Sequence, residues 1–314
     1  MKVVVLMGGP SEEHDISLKS GHGVAAALAS RGWTTEPLEI PKTLSVDGAC
    51  EFVRRALQQG GADVAFIALH GAFGEDGTIQ AVCEDLHVAY TGSDPQASRL
   101  GMDKVASRKR FEEAGLSVPR WQLVDLTRRR ATLRGFTYPL VVKPVNQGSS
   151  IGVSIVRGEA DLPSALDTAG RYGSQVLIEE FIRGREVTVG VLGDDPLPVV
   201  EIRPSHPFFD FSAKYTVGAT EYLVPAPLES DVAQAAQEAG LTAHRALGCR
   251  HLSRTDIILA SDNIPVVLEV NTIPGFTPTS LIPKAAACIH LSYDALCEKL
   301  VMMAWQGSPH VARS

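Results

Sequence analysis

Residues 253–272, SRTDIILASDNIPVVLEVNT, fix more of their own geometry than any other part of the 314-residue chain. Two apolar runs, 254–259 and 265–270, flank Asp262-Asn263, a pair suited to the tip of a tight turn, and so predict an antiparallel hairpin. With those two residues at the tip, Ser261 pairs with Ile264. Counting outward then puts Asp256 opposite Glu269 and Arg254 opposite Asn271. Side chains alternate across a strand, so Arg254 and Asp256 share one face, as do Glu269 and Asn271. Two carboxylates placed directly opposite repel, which makes a charged outer face a poor explanation for them. A shared cation explains them better, and oxygen-only donors suit Mg²⁺ over a transition metal.

A second stretch, VVKPVNQGSSIG at 141–152, places Lys143 at the end of an apolar strand and ahead of a small-residue loop, Gln147-Gly148-Ser149-Ser150-Ile151-Gly152. Alone, Lys143 reads as a surface lysine at a strand end. Beside that loop it reads as a cation next to a flap whose backbone amides can close over phosphates. The pattern GxxxxGK[ST] occurs nowhere. The one dinucleotide-like match, GHGVAA at 21–26, falls inside a predicted helix rather than directly after a strand, which is the wrong context for a phosphate turn.

Composition limits the partners. A formal charge of −7 and a pI near 5.7 give no general basic field for nucleic acid or an anionic membrane, so an anionic ligand must be held by local cations. Cys50, Cys83, Cys249, Cys288 and Cys297 form no CxxC and have no histidine at metal spacing, which predicts buried, reduced thiols in a cytosolic protein. The opening MKVVVLMGG has too short an apolar run for a signal peptide, and no stretch approaches membrane-spanning length; the expected location is the cytoplasm.

Along the chain, the first ninety or so residues alternate strand and helix as in a small parallel α/β unit: KVVVLM, then DISLKSGHGVAAALASRG ended by Gly32, ADVAFIALHG, GTIQAVCEDL and HVAYTG. A long polar helix is expected around 96–114, followed by short strands and a helix up to QVLIEE. The segment REVTVGVLGDDPLPVVEIRP reads as a hairpin turning at Asp194-Asp195. PSHPFFDFSAKYTVGAT, within 204–220, is too long and irregular for an ordinary connection and reads as a lid. The fold class is α/β followed by α+β. The expected units are an N-terminal parallel α/β domain over 1–95, a small central α+β domain over 96–180, and a C-terminal α+β domain over 181–314 that carries the lid.

Lys143 with its flap, LIEEFIRGRE at 177–186 and LEVNTIPGFT at 268–277 resemble the nucleotide site of the ATP-grasp superfamily. GGPSEEHDISLKSG at 8–21, ALHGAFGEDGTIQ at 68–80, GMDK at 101–104, SAKY at 212–215 and TPTSLIP at 277–283 narrow this. Taken in order over nearly the whole chain, they resemble the D-alanine:D-alanine ligase family.

The resemblance implies an ATP-grasp fold and an ATP-dependent joining of two D-alanines through an acyl phosphate, for peptidoglycan precursors. It implies ATP with two Mg²⁺ ions, for which Mn²⁺ could substitute, and a homodimer. Glu179, Glu180, Phe181 and Ile182 would contact adenine and Glu186 the ribose, while Ser150 in the flap, Lys104, Lys143 and the lid's Lys214 would face the phosphates. Asp256, Glu269 and Asn271 would hold metal. Glu13 would take the first substrate's ammonium and join Ser149 and Tyr215 in a latch. His70 would line the first substrate's site, Ser280 and Leu281 would receive the second substrate's carboxylate, and Arg254 with the Gly275 amide would hold the oxyanion.

Two departures from the family pattern are visible: Asn146-Gln147 stand where an acidic residue usually precedes the flap glycine, and Ser253 stands where glycine is usual. The retained Lys214 and Tyr215 favour the dipeptide over D-alanyl-D-lactate or D-alanyl-D-serine. An L-amino-acid ligase and a non-catalytic nucleotide-binding module are the rival readings.

Overall fold

A computed structural model describes residues 1–128, 133, 135–148, 150–204 and 220–307 of the chain. The lid residues 205–219 and Ser149, with the expectations placed on Ser149, Lys214 and Tyr215, lie outside the described residues.

The first sheet is parallel, in the order β2–β1–β3–β4, from β1 (Lys2–Gly8), β2 (Thr34–Ile40), β3 (Val64–Ile67) and β4 (Ala89–Tyr90). β1 is apolar without interruption because both of its faces are covered. Val3, Val5 and Met7 pack into one core with α1 (His14–Ser30), while Val4 and Leu6 pack into another with α2 (Val46–Gly60) and α3 (Thr78–Asp85). β2 and α2 fill the interval that the sequence patterning passed over. The glycine pair in GHGVAA has a packing role: a Cβ on Gly21 would run into Met7, so the glycine lets α1 lie close on β1.

The helix expected over 96–114 is two helices, α4 (Pro95–Met102) and α5 (Lys104–Glu113). Asp103 breaks the run in an extended conformation and its side chain caps α5, accepting from the amides of Val105 and Ala106. This break sets Lys104 at the first helical position.

The second sheet is antiparallel, ordered β5–β8–β6–β7, from β5 (Trp121–Asp125), β6 (Leu140–Pro144), β7 (Ser154–Val156) and β8 (Gln175–Glu180), and it packs on α6 (Leu162–Gly170). The third holds β9 (Gly184–Leu192), β10 (Asp195–Pro196), β11 (Val200–Pro204), β12 (Thr220–Leu223), β13 (Leu252–Ala260) and β14 (Pro265–Asn271), backed by α7 (Ser230–Ala246). The turn after β9 comes one residue earlier than expected, at Gly193-Asp194, because Asp195 already pairs with Leu192.

Packing crosses the chain order in two places. Phe111 of α5 joins the core of the third sheet beside Val267 and Val270. The last helices, α8 (Leu281–Ala287) and α9 (Tyr293–Gln306), close on the first sheet through Ile282, Leu296, Leu300 and Val301. Of the five cysteines, Cys83 and Cys297 are buried as expected, Cys50 and Cys249 are intermediate, and Cys288 is exposed.

Candidate active site

The β13–β14 hairpin reaches the expected register by an unexpected route. Its loop has three residues, Ser261-Asp262-Asn263, with Asn263 at φ 62° and the Ala260 amide donating to the Ile264 carbonyl at 3.0 Å. Asparagine tolerates that left-handed conformation at a hairpin tip. Near the tip, Leu259 pairs with Pro265 and Ile257 with Val267, one residue off the expected ladder. A β-bulge at Leu268 restores the count, so Asp256 faces Glu269 and Arg254 faces Asn271 as the sequence predicted. The bulge also brings Leu268 to the same cleft as Glu269, where strict alternation would have turned it away.

That cleft, about 690 Å³, opens between the second and third sheets. Lys104 from α5, Lys143 from β6, Asp256 and Glu269 line it, with Glu179 to Ile182 and Glu186 along the connection from β8 to β9, and Ser150 of the flap. Lys104 Nζ donates to the Gln147 carbonyl of the flap at 2.6 Å and lies 3.5 Å from Glu269 Oε2. Gln147, one of the two residues in the departure from the family pattern, thus meets Lys104 through its backbone carbonyl, which any residue there could supply.

Lys143 and Glu179 are both buried, with Lys143 Nζ 2.6 Å from Glu179 Oε2. Arg108, on the inner face of α5, donates through Nε to Glu179 Oε1 at 2.8 Å. Burial works against the Glu179 charge, but Arg108 and Lys143 outweigh it and hold the carboxyl below its ordinary range. Burial also lowers the Lys143 pKa; Glu179 opposes this and Arg108 adds to it. Glu179, expected as an adenine acceptor, therefore spends both oxygens on cations at the cleft floor. Removing one partner of such a buried set typically costs about 3–5 kcal/mol.

Asp256 is held on two sides. Arg254 grips it bidentately, Nε to Oδ1 and one terminal nitrogen to Oδ2, each at 2.8 Å, and Thr188 of β9 donates to Oδ1 at 2.7 Å. Burial opposes the Arg254 charge, but Asp256, with Glu269 and Glu75, raises its pKa above the ordinary value. The Asn271 side-chain oxygen accepts from the Ile273 amide at 3.0 Å, which turns the chain after β14. The donor set of Asp256, Glu269 and Asn271 is oxygen only, with its two carboxylates opposite one another, and it fits Mg²⁺.

On the first sheet's side, His70 is buried and its ring is held from two sides. Its Nδ1 lies 3.2 Å from the Ile273 carbonyl, which can only accept, so in the neutral ring the proton sits on Nδ1 and Nε2 accepts from Ser20 Oγ at 2.9 Å. Ser20 in turn accepts from the Phe276 amide. Glu13 stands at the start of α1, and a Cβ on Gly71 would sit 2.9 Å from its Oε2; the glycine makes room for that carboxylate beside His70. Glu75 accepts from the Gly71 amide at 2.9 Å, and burial, the largest influence, raises its pKa with Glu13 adding to the effect. Further along, Ser280 stands at the N-cap position of α8, and its Oγ turns back to accept from the Thr277 amide at 3.0 Å, close to Gly275, rather than capping the helix.

A family model described as "D-ala D-ala ligase C-terminus" matches residues 98–302, and one described as "D-ala D-ala ligase N-terminus" matches residues 42–93. The D-alanine–D-alanine ligase of Syntrophotalea carbinolica is 42% identical over 302 residues, 96% of this chain and 95% of that one. That of Geobacter sulfurreducens is 41% identical over 308 residues, covering 96% and 94%. The chain belongs to the D-alanine–D-alanine ligase family. Among solved structures, the Bacillus anthracis D-alanine–D-alanine ligase complexed with ATP matches with a TM-score of 0.82 at 30% identity, covering 98% of each chain. The VanG D-Ala:D-Ser ligase of Enterococcus faecalis matches with 0.83 at 31% identity, covering 96% of this chain and 99% of that one. The ATP-grasp fold expected from the motifs is thereby established, and likeness of fold alone does not choose the second amino acid.

Within this family frame, three residues of the site went unread in the sequence. Arg108 follows Lys104 by one helical turn, and residues 104, 107, 108 and 111 form the buried face of α5, so a helix drawn from Asp103 would have exposed the pattern. Thr188 sits directly across from Asp256, which needed the β9–β13 register. Glu75 lies five residues after His70 in GAFGEDG, where the turn that folds it back leaves no periodic signal.

Proposed function

We propose that the chain is an ATP-dependent ligase that joins two D-alanines into D-alanyl-D-alanine, with release of ADP and phosphate, for peptidoglycan precursor synthesis in the cytoplasm. The observation that carries this reading is the convergence of Lys104, Lys143, Asp256 and Glu269, from α5, β6, β13 and β14, on one cleft in a chain of this family. Three units over 1–95, 96–180 and 181–314 and a homodimer are what the family resemblance implies, and sedimentation would check the dimer. Among the described residues no helix is long and apolar enough to cross a membrane.

The chemistry follows from what these groups stabilise. The γ-phosphoryl group of ATP passes to a carboxylate oxygen of the first D-alanine, forming an acyl phosphate and ADP. Lys104 and Lys143 offset charge on the phosphoryl oxygens, and positioning contributes most of the remaining rate. Mg²⁺, when held by Asp256, Glu269 and Asn271, supplies further neutralisation of that charge. Glu13 pairs with the first substrate's ammonium while His70 lines its site.

The second amine then attacks the acyl carbon, its carboxylate oriented by Ser280 and the Leu281 amide. Arg254 and the Gly275 amide stabilise the tetrahedral oxyanion, and losing one such donor typically costs about 10²- to 10³-fold in rate. Phosphate leaves as the amide forms. Roles for Ser149, Tyr215 and Lys214 rest on the family resemblance.

Phosphate release from ATP, measured with D-alanine, D-lactate, D-serine and L-alanine, tests the reading. Release with D-alanine alone supports the dipeptide ligase. Release only with D-alanine plus D-serine or D-lactate shifts the second substrate, and no release with any of them removes the ligase reading.

A further inference from the structure

Arg108 is completely buried and does not line the nucleotide cleft, yet it touches both of the sheets that form it. Its Nε reaches Glu179 Oε1 on β8 at 2.8 Å, and a terminal nitrogen lies 2.7 Å from the same oxygen. Its other terminal nitrogen donates to the Val267 carbonyl on β14 at 3.1 Å, one residue before the bulge that turns Leu268 into the cleft. The second Glu179 oxygen belongs to Lys143, at 2.6 Å.

The charges in this set do not cancel. Lys143 and Glu179 alone would make a neutral pair and offer a polyphosphate little net attraction. Arg108 converts the pair into a trio with two cations and one carboxylate, a surplus of one positive charge beneath the cleft, in a place where low dielectric strengthens its reach. It also fixes the carboxylate that fixes Lys143. Lysine in its place has one compact head and cannot span Glu179 and the Val267 carbonyl together, whereas the planar guanidinium does.

We propose that Arg108 is a positioning residue for polyphosphate recognition: by holding one oxygen of Glu179 it keeps Lys143 seated on the other and leaves the cleft floor net positive for the phosphates of a nucleoside di- or triphosphate. This deepens the ATP-dependent reading above and rests on it.

The test compares direct binding of ADP with Mg²⁺ and of adenosine to the full-length wild type, Arg108→Lys and Arg108→Met, with thermal melting to verify the fold. The Met variant should weaken ADP by about 10-fold or more and the Lys variant by about 3- to 10-fold, while adenosine, which lacks the phosphates, changes less than about 2-fold. A merely structural role would weaken both ligands together. Parallel loss, or unchanged ADP affinity in either folded variant, overturns the proposal. Should Arg108→Met fail to fold, Arg108→Lys carries the same comparison. A wild type that binds ADP but releases no phosphate with D-alanine would fail the ligase reading and leave the binding comparison to decide the role of Arg108 separately.

Discussion

Thr188 Oγ1 lies 2.7 Å from Asp256 Oδ1, reaching from β9 to the residue directly across from it on β13. With the Arg254 fork on the other side, this leaves Asp256 little freedom to turn away from the cleft. Outer partners of a ligating carboxylate typically contribute about 10- to 100-fold in metal affinity. Thr188→Val, which keeps the β-branched shape, should therefore raise the Mg²⁺ concentration needed for half-maximal phosphate release by about 10-fold. A Mg²⁺ titration of turnover checks it, and an unchanged midpoint would count against the metal assignment of Asp256.

Glu269 is the other half of that opposed pair, only partly buried and 3.5 Å from Lys104. Glu269→Gln keeps the shape and removes the charge. Turnover should fall by about 10²-fold or more, the scale of losing one preorganised electrostatic group, with a melting temperature close to wild type. Normal turnover would show that the metal is held elsewhere.

Gly71 adopts φ +71°, and a Cβ there would press on Glu13 Oε2 at 2.9 Å and Ser11 Cβ at 3.3 Å. Gly71→Ala should cost about 1 kcal/mol through the left-handed backbone. By moving Glu13 it should also raise KM for the first D-alanine about 10-fold, one charge-assisted hydrogen bond's worth, while KM for ATP stays near wild type. Steady-state kinetics in both substrates separates the two effects.

His244 and His251 are both held neutral, each with a pKa lowered by burial to about 4 from an ordinary 6.5. Below pH 6.5 the unfolded chain takes up protons that the folded one refuses, so stability falls as pH drops from about 6.5 towards 4. The loss approaches roughly 3 kcal/mol for each histidine at the low end. Denaturant unfolding at pH 7.5 and pH 5 should show it, and His244→Asn should flatten the slope. His244 Nδ1 bonds Ser253 Oγ at 2.7 Å. Ser253, unusual for the family, thus has a partner.

Much of the fold was legible because burial on two faces writes a simple code. Val3 to Met7 and Val64 to Leu69 alternate between two cores without a break, and short uninterrupted apolar runs of this length, bounded by glycine, suit a covered parallel strand. The opposed acids of the hairpin were legible for a subtler reason: the sequence reading lost one residue at the loop, and the bulge gave it back. Val267 and Val270, three apart yet in one core, were the visible trace of that bulge. Arg108 was hidden because a polar helix surface looks alike whether its cations meet water or a buried carboxylate. The Asp103 cap, which decides where α5 begins, was hidden within what reads as one continuous polar helix.

The bulge at Leu268 separates the outer end of the hairpin from its inner end. Registry between Asp256 and Glu269 is set on the catalytic side of that irregularity, so the exposed tip at Ser261-Asp262-Asn263 can vary in length without sliding one acid past the other. A reporter peptide or affinity tag spliced into this tip should leave the enzyme's chemistry intact, whereas deleting Val270 would draw Asn271 opposite Thr255 and out of line with Arg254.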